Sequence, residues 1–497
     1  MRTGRGTLSV AAGLVLVALA SVGYVLPPAF DPPPLKSDPA FQTIPAQPRH
    51  ELRPVVAVDP VHREEISVAA EGQRLFGTLR VPLTPGPHPA MVFISGSGNG
   101  SRTEFTPQAE FLSKAGVATI TFDKRTVGYN FRDRDFSLLA DDALRMVDYL
   151  RARPEVDPAR VGLWGVSEGG WVVPIAAAKS AAVGFAVLVS SPNVSPLRQV
   201  AWALNEQLIR LRAPIGARDL LTRAMGGVGF NFLRYDAMPA LSHINQPVLA
   251  FYGTTDPSIP FVESTRALVK ALDEAGNDNY TIRFMAKGDH AMRVNGGDFT
   301  AGYLETLANW VLGLPATAKP SVHMAGATPV QRFEASDVPA APWYAGGTML
   351  GLTICLAAVG YVAGPVAAMV VRLRGRHHLA AETHARLWPP IRRRLRRMVW
   401  TGLGLLASVV AFIMLLVLFS VNQAGAWPAV LAGWLVVRVL AVLMLVQEVT
   451  AVAAFVSALR EGLLPSRWQH VAVAGVLGGT GLLLVAAAYY GLFSFPW

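Results

Sequence analysis

Four stretches in the last third of this chain carry almost no charge over lengths that exceed the thickness of a bilayer. Trp343–Val371 runs 29 residues, Met398–Val421 24 and Val471–Phe495 25 without a charged side chain, and Trp427–Leu459 is interrupted only by Arg438, Gln447 and Glu448. A helix rising 1.5 Å per residue needs roughly 20 residues to cross about 30 Å of hydrocarbon. Buried helices of a water-soluble protein would show a polar face every three to four residues, and these segments lack one. The pattern predicts an all-α membrane bundle of four spans over residues 343–497. Leu8–Leu26 is a further charge-free run, preceded by Arg2 and Arg5. Residues 1–26 therefore read as a signal peptide or a membrane anchor. Ala18-Leu19-Ala20 fits a small-x-small cleavage pattern, whereas the continuation to Leu26 suits an anchor.

The formal charge of +10 follows the same division. Nine Arg and one Glu lie between Arg372 and Arg397, which is +8 in one loop, while residues 31–342 are almost neutral. That distribution argues against a basic face for nucleic acid on the main domain. It speaks instead to topology, because short cytoplasmic loops are rich in Lys and Arg. Loop 372–397 should be cytoplasmic, the uncharged connection Asn422–Ala426 should face outward, and loop 460–470 should return inside. Residues 27–342 then lie on the extracytoplasmic, periplasmic side of an integral plasma (inner) membrane protein. The arginines are placed to bind anionic membrane lipid. His377, His378 and His384 in that basic loop read as solvated. Cys355 is the single cysteine, which excludes an intrachain disulfide and a Cys-based metal site, and no metal or cofactor is expected. Arg438 and Glu448 are ten residues apart, about 80° around a helix, so they should not pair; the run is too long for one perpendicular span, so one of them can snorkel at an end, and burial against neighbouring helices is expected ahead of a transport or ligand role.

Residues 27–60 hold ten prolines and residues 315–342 five, and both are expected to be linkers, the first an extended tether. Residues 61–314 between them suffice for one large α/β domain. Glu64–Val68 and Arg74–Val81 read as a hairpin. Ala90–Ile94, Val117–Phe122, Val161–Val166, Phe185–Ser190, Pro247–Tyr252 and Thr281–Met285 read as strands, and Leu138–Arg151, Glu168–Ala178 and Ser264–Ala275 as helices. Apolar strands alternating with helices indicate a mostly parallel sheet covered on both faces.

Gly165-Val166-Ser167-Glu168-Gly169-Gly170 falls where a buried strand meets a helix, so Ser167 should occupy a sharp turn with its hydroxyl projecting from the sheet edge. A Ser hydroxyl needs a base, and the base an orienting carboxylate. His290 follows the strand Thr281–Met285, at the carboxyl edge where such sheets place their sites. His243 lies at the wrong end and His323 in the Pro-rich linker. Asp256, after Pro247–Tyr252, is the carboxylate; Asp289 adjoins His290 too closely in sequence to be its partner. The order Ser, Asp, His fits this fold. Ser95-Gly96-Ser97-Gly98 follows the first inner strand, so the expected oxyanion hole is made by the backbone N–H groups of Ser97 and Glu168, with Gly98 as the substitute for Ser97.

These pieces, with Asp123-Lys124-Arg125 and Asp157-Pro158-Ala159-Arg160-Val161-Gly162, resemble the α/β-hydrolase superfamily, in particular bacterial dienelactone hydrolase-like and serine aminopeptidase-like esterases. The resemblance covers about half the chain. It implies an α/β-hydrolase fold with a helical cap near residues 192–244, whose Trp202, Leu204, Leu208, Met225, Phe230 and Phe232 would either shape an acyl pocket or simply pack. Relatives usually continue Asp-x-Arg with Gly-x-Gly-x-Ser, and here Thr126-Val127-Gly128-Tyr129-Asn130 stands instead. The expected chemistry is acyl transfer from a small-molecule or lipid-like ester to water. A peptidase or thioesterase of the same fold is the alternative, and a transport or sensor protein with a degenerate hydrolase module is the competing class.

Overall fold

The computed structural model describes all residues except 1–2, 58–59, 131, 228–230, 375–386, 388, 422–425, 465 and 496–497. His377, His378, His384, Phe230 and most of the Asn422–Ala426 connection lie outside the described residues. The chain forms two compact units, residues 32–206 with 230–337, and residues 1–31 with 207–229 and 338–497.

Among the described residues the first unit is built on nine strands: β1 (Val61–Ala70), β2 (Gln73–Pro82), β3 (His88–Ile94), β4 (Ala118–Phe122), β5 (Val156–Val166), β6 (Phe185–Val189), β7 (Val248–Gly253), β8 (Tyr280–Met285) and β9 (Met324–Gly326). Their order is β1-β2-β4-β3-β5-β6-β7-β8-β9. β1 pairs antiparallel with β2, and β2 antiparallel with β4; every later pairing is parallel. Side chains alternate across a strand, so Ala90, Val92 and Ile94 join one core layer while Met91 and Phe93 join the other. Helices Phe136–Arg151, Gly169–Lys179 and Phe261–Glu274 supply the first layer through residues such as Met146, Val173 and Leu268. Thr106–Lys114 and Tyr303–Gly313 supply the second through Leu112 and Leu307. With both faces covered, β3, β4, β6 and β7 are buried along their whole length, which is why they read as unbroken apolar runs.

Both Pro-rich segments depart from the linker expectation. Phe41 is buried in the core, Asp38 pairs with Arg266 at 3.0 Å, and Leu35 N–H donates to Arg332 O. Glu51 grips Arg283 of β8, with Nε to Oε2 at 2.7 Å and a second contact from Nη2 to Oε1. The later segment supplies β9, and Glu263 accepts from Gln331 Nε2 and from the Ala335 amide. Proline fixes φ and withholds a donor, but the side chains between prolines still find partners. Arg283 is wholly buried. Glu51→Ala should therefore cost about 3–5 kcal/mol by stranding a buried guanidinium; thermal unfolding of the full chain in detergent measures it, and an unchanged midpoint would contradict the pairing.

Among the described residues, the second unit contains five helices long and apolar enough to cross a membrane: Thr7–Val25, Gly347–Val370, Pro389–Leu418, Trp427–Arg460 and Arg467–Tyr489. Val410, Met414, Leu418 and Val439 remain exposed on them, as helices that are apolar all round require of a lipid surface. Helix Thr3–Val25 packs within this unit, so closely that a Cβ at Gly23 would lie 2.3 Å from Ala488 O. Arg438 is buried; its Nε donates to Leu492 O at 3.1 Å and Nη2 to Ser494 O at 3.0 Å, tying down the segment after the last long helix. Glu448 makes no contact with it and instead lines a cavity of about 510 Å³ with Leu8, Leu19 and Leu484. The 192–244 cap divides differently from the expectation: its helix Ile215–Gly226 belongs to this unit, where Arg223 Nη1 donates to Tyr489 O at 2.7 Å.

Candidate active site

β5 ends at Val166, and Ser167 follows in the left-handed region with φ +55°, a conformation a serine holds only where its surroundings impose it. Ser167 N–H donates to Val189 O at the end of β6, and Ser167 O accepts from Gly170 N–H as the next helix begins. A Cβ at Gly165 would stand 2.4 Å from Gly169 O, so this turn closes only with glycine there.

Asp256 and His290 come together from the ends of β7 and β8. His290 Nδ1 lies 2.9 Å from Asp256 Oδ2, and Asp256 Oδ1 accepts from Ser258 N–H at 2.7 Å. Asp256 is 1% exposed. The two loops are stitched by Gly288 O, which accepts from Thr255 N–H at 3.0 Å and Thr255 Oγ1 at 2.9 Å. Ser190 Oγ donates to His290 O at 3.0 Å, fixing the histidine backbone from β6. Burial works to lower the pKa of His290, but the facing Asp256 carboxylate and its hydrogen bond outweigh it, and the net direction is up from the ordinary value. Asp289 turns away: its Oδ1 accepts from Ala291 and Arg293 N–H and its Oδ2 from Gly296 N–H, building the loop. Ser167 Oγ makes no hydrogen bond to a described residue; unliganded enzymes often tighten that contact only around substrate.

The loop after β3 brings Gly96 against Ser167, a Cβ at Gly96 falling 3.3 Å from Ser167 Cβ. The Ser97 and Glu168 amides have no acceptor among the described residues, whereas Gly98 N–H donates to Tyr129 Oη at 3.1 Å and is engaged. Below them lies a cluster that the sequence reading did not single out. The Glu168 side chain, only 1% exposed, accepts from Lys124 Nζ at 2.7 Å, Tyr129 Oη at 2.8 Å and Arg134 Nη1 at 2.6 Å. Burial, with the Glu168 charge adding to it, pushes the Tyr129 phenol up to about 12. Burial also lowers Lys124, against the opposing pull of Glu168. A glutamate immediately after Ser167, and a tyrosine where relatives usually carry small residues, were the available signals. Arg125, from the same stretch, is structural: it holds Asp142 in a buried two-pronged pair at 2.6 and 3.0 Å. Trp202 and Phe232 of the cap segment are packed, Trp202 against Phe261 and Phe232 under Arg134. Among the described residues no three His, Cys, Asp or Glu side chains are grouped to hold a metal ion.

An order of β1-β2-β4-β3-β5-β6-β7-β8, with Ser167 in the turn after β5 and Asp256 and His290 after β7 and β8, defines the α/β-hydrolase class. More particularly, residues 109–313 match the prolyl oligopeptidase family, Peptidase_S9. Esterase EstD of Thermotoga maritima is 31% identical over 153 residues, 29% of this chain and 36% of that protein. An uncharacterized protein of Mycobacterium tuberculosis is 28% identical over 217 residues, 44% of this chain and 70% of that one. The solved dienelactone hydrolase of Anabaena variabilis aligns with a TM-score of 0.36 at 22% identity, covering 50% of this chain and 95% of that chain. The matched region thus spans about a third of EstD.

Proposed function

We propose that this protein is a membrane-tethered serine hydrolase that cleaves carboxylic esters through an acyl-enzyme, with its hydrolase domain on the extracytoplasmic side. His290 takes the Ser167 proton as Oγ attacks the ester carbonyl, Asp256 stabilises the imidazolium, and the Ser97 and Glu168 amides receive the oxyanion. His290 then protonates the leaving alcohol, and water releases the acid. The single observation that carries this reading is the His290–Asp256 pair at 2.9 Å, at the sheet edge that also bears the Ser167 turn. The five apolar helices and the +8 loop support the tether and the orientation, and the close packing of Gly23 on Ala488 supports a retained first span. A small-molecule or lipid-like acyl ester is the substrate class, and anionic membrane lipid the partner of the Arg-rich loop.

A peptidase is the second reading, favoured by the prolyl oligopeptidase match. Turnover of matched p-nitrophenyl ester and p-nitroanilide substrates by the detergent-solubilised protein separates them: ester cleavage with negligible anilide cleavage is expected, and the reverse would overturn the ester assignment. Alkaline-phosphatase fusions should be active when joined after residue 342 and silent after residue 386; the opposite pattern would invert the topology.

A further inference from the structure

The Lys124–Tyr129–Glu168 cluster touches the expected oxyanion hole from behind at three points. Lys124 Nζ donates to Gly96 O as well as to Glu168 Oε1. The Gly96 carbonyl and the Ser97 N–H share one peptide plane and, in a trans peptide, point in opposite directions. Holding Gly96 O from below therefore aims the Ser97 N–H to the other side. Tyr129 Oη does the equivalent for the next peptide, accepting from Gly98 N–H while it donates to Glu168 Oε1. A phenol with its pKa pushed up to about 12 keeps the proton this donation needs. Glu168 closes the circuit, because the residue whose carboxylate gathers Lys124, Tyr129 and Arg134 also supplies the second expected donor through its own amide. Lys124 and Tyr129 are themselves braced: Nζ sits 4.5 Å from the Tyr129 ring centroid, and Arg134 stacks on Phe232 at 4.2 Å.

We infer that Lys124 and Tyr129 are positioning residues that lock the Gly96–Gly98 loop to the nucleophile turn through the Glu168 side chain, so that the Ser97 and Glu168 amides are fixed as a pair. The inference rests on the acyl-enzyme reading given above. It also explains the Thr126–Asn130 stretch: Tyr129 takes over the bracing of a loop that small residues alone would leave unbraced. Preorganised donors matter because they require no reorganisation as charge develops on the oxygen, and removing one donor outright costs 10²–10³ in kcat.

The test uses the full chain in detergent with Tyr129→Phe and Lys124→Met. Each is expected to lower kcat about 10–100-fold with KM within about threefold. A boronic acid that forms a tetrahedral adduct on Ser167 places an oxygen in the same hole, so its affinity should fall in proportion to kcat/KM. Fluorophosphonate should still titrate one Ser167 per chain, which a collapsed site would not allow. Wild-type kcat in Tyr129→Phe, or a fall in kcat with boronate affinity unchanged, would overturn the clamp. If Lys124→Met fails to fold, Tyr129→Phe decides alone, since it removes one oxygen and keeps the ring. Failure of the underlying reading looks different: fluorophosphonate would then label the protein even in Ser167→Ala.

Discussion

Ser167→Ala is expected to abolish labelling by a fluorophosphonate probe and to lower ester turnover at least about 10⁴-fold, leaving only what binding and oxyanion stabilisation contribute. The effect is expected to be large because, in the proposed mechanism, the Ser167 hydroxyl forms the covalent bond to the acyl group. The turn around it is held by backbone bonds to Val189 O and from Gly170 N–H, so the variant should fold and its unfolding midpoint should stay close to that of the parent. Gel fluorescence and a p-nitrophenyl ester assay read the result. Labelling that persists on another serine would end the assignment of Ser167.

Asp256→Asn is the second large effect. The substitution keeps the shape but replaces the acceptor of His290 Nδ1–H with an amide that favours the wrong tautomer, and a loss of about 10⁴ in kcat is expected. Its pH signature is as informative as its size. His290 must be neutral to accept the Ser167 proton. Its pKa is raised because the Asp256 carboxylate outweighs burial, so kcat/KM of the parent should climb with pH through a midpoint above the ordinary value of about 6.5. Without the Asp256 carboxylate, burial is opposed only by the smaller pull of the Asp289 charge, and the midpoint of the residual activity should move down. Stability follows the same linkage. A raised folded-state pKa stabilises the protein fully below the unfolded pKa, and that contribution is lost as pH rises through the folded value. Asp256→Asn should lack this acid-side gain. A pH profile identical to that of the parent would show that the Asp256–His290 pair does not control the reaction.

Much of this was legible before any coordinates. Charge-free runs longer than a bilayer specify membrane-crossing helices by length alone, and β3, β6 and β7 announced themselves as unbroken apolar strands because both faces of the sheet are covered. Ser167, Asp256 and His290 were each readable from a strand end followed by small residues. The Pro-rich segments were not readable. Nothing local in Glu51 points to Arg283, 232 residues away, and a short strand such as Met324–Gly326 pairs only because β8 offers it a free edge. The same holds for helix Ile215–Gly226, whose amphipathic pattern gives no sign that it belongs to the unit of the long apolar helices.

Local periodicity, turn chemistry and the distance a helix must span were enough to set the element types, the order of the three candidate catalytic residues and the long apolar helices. Which charges meet depended on contacts between distant segments. The fold drew Lys124, Tyr129 and Arg134 around a buried Glu168 and put Asp256 rather than Asp289 on His290. A buried charge is stable only with partners, and those partners come from elements far apart in the chain that are brought together when the sheet closes.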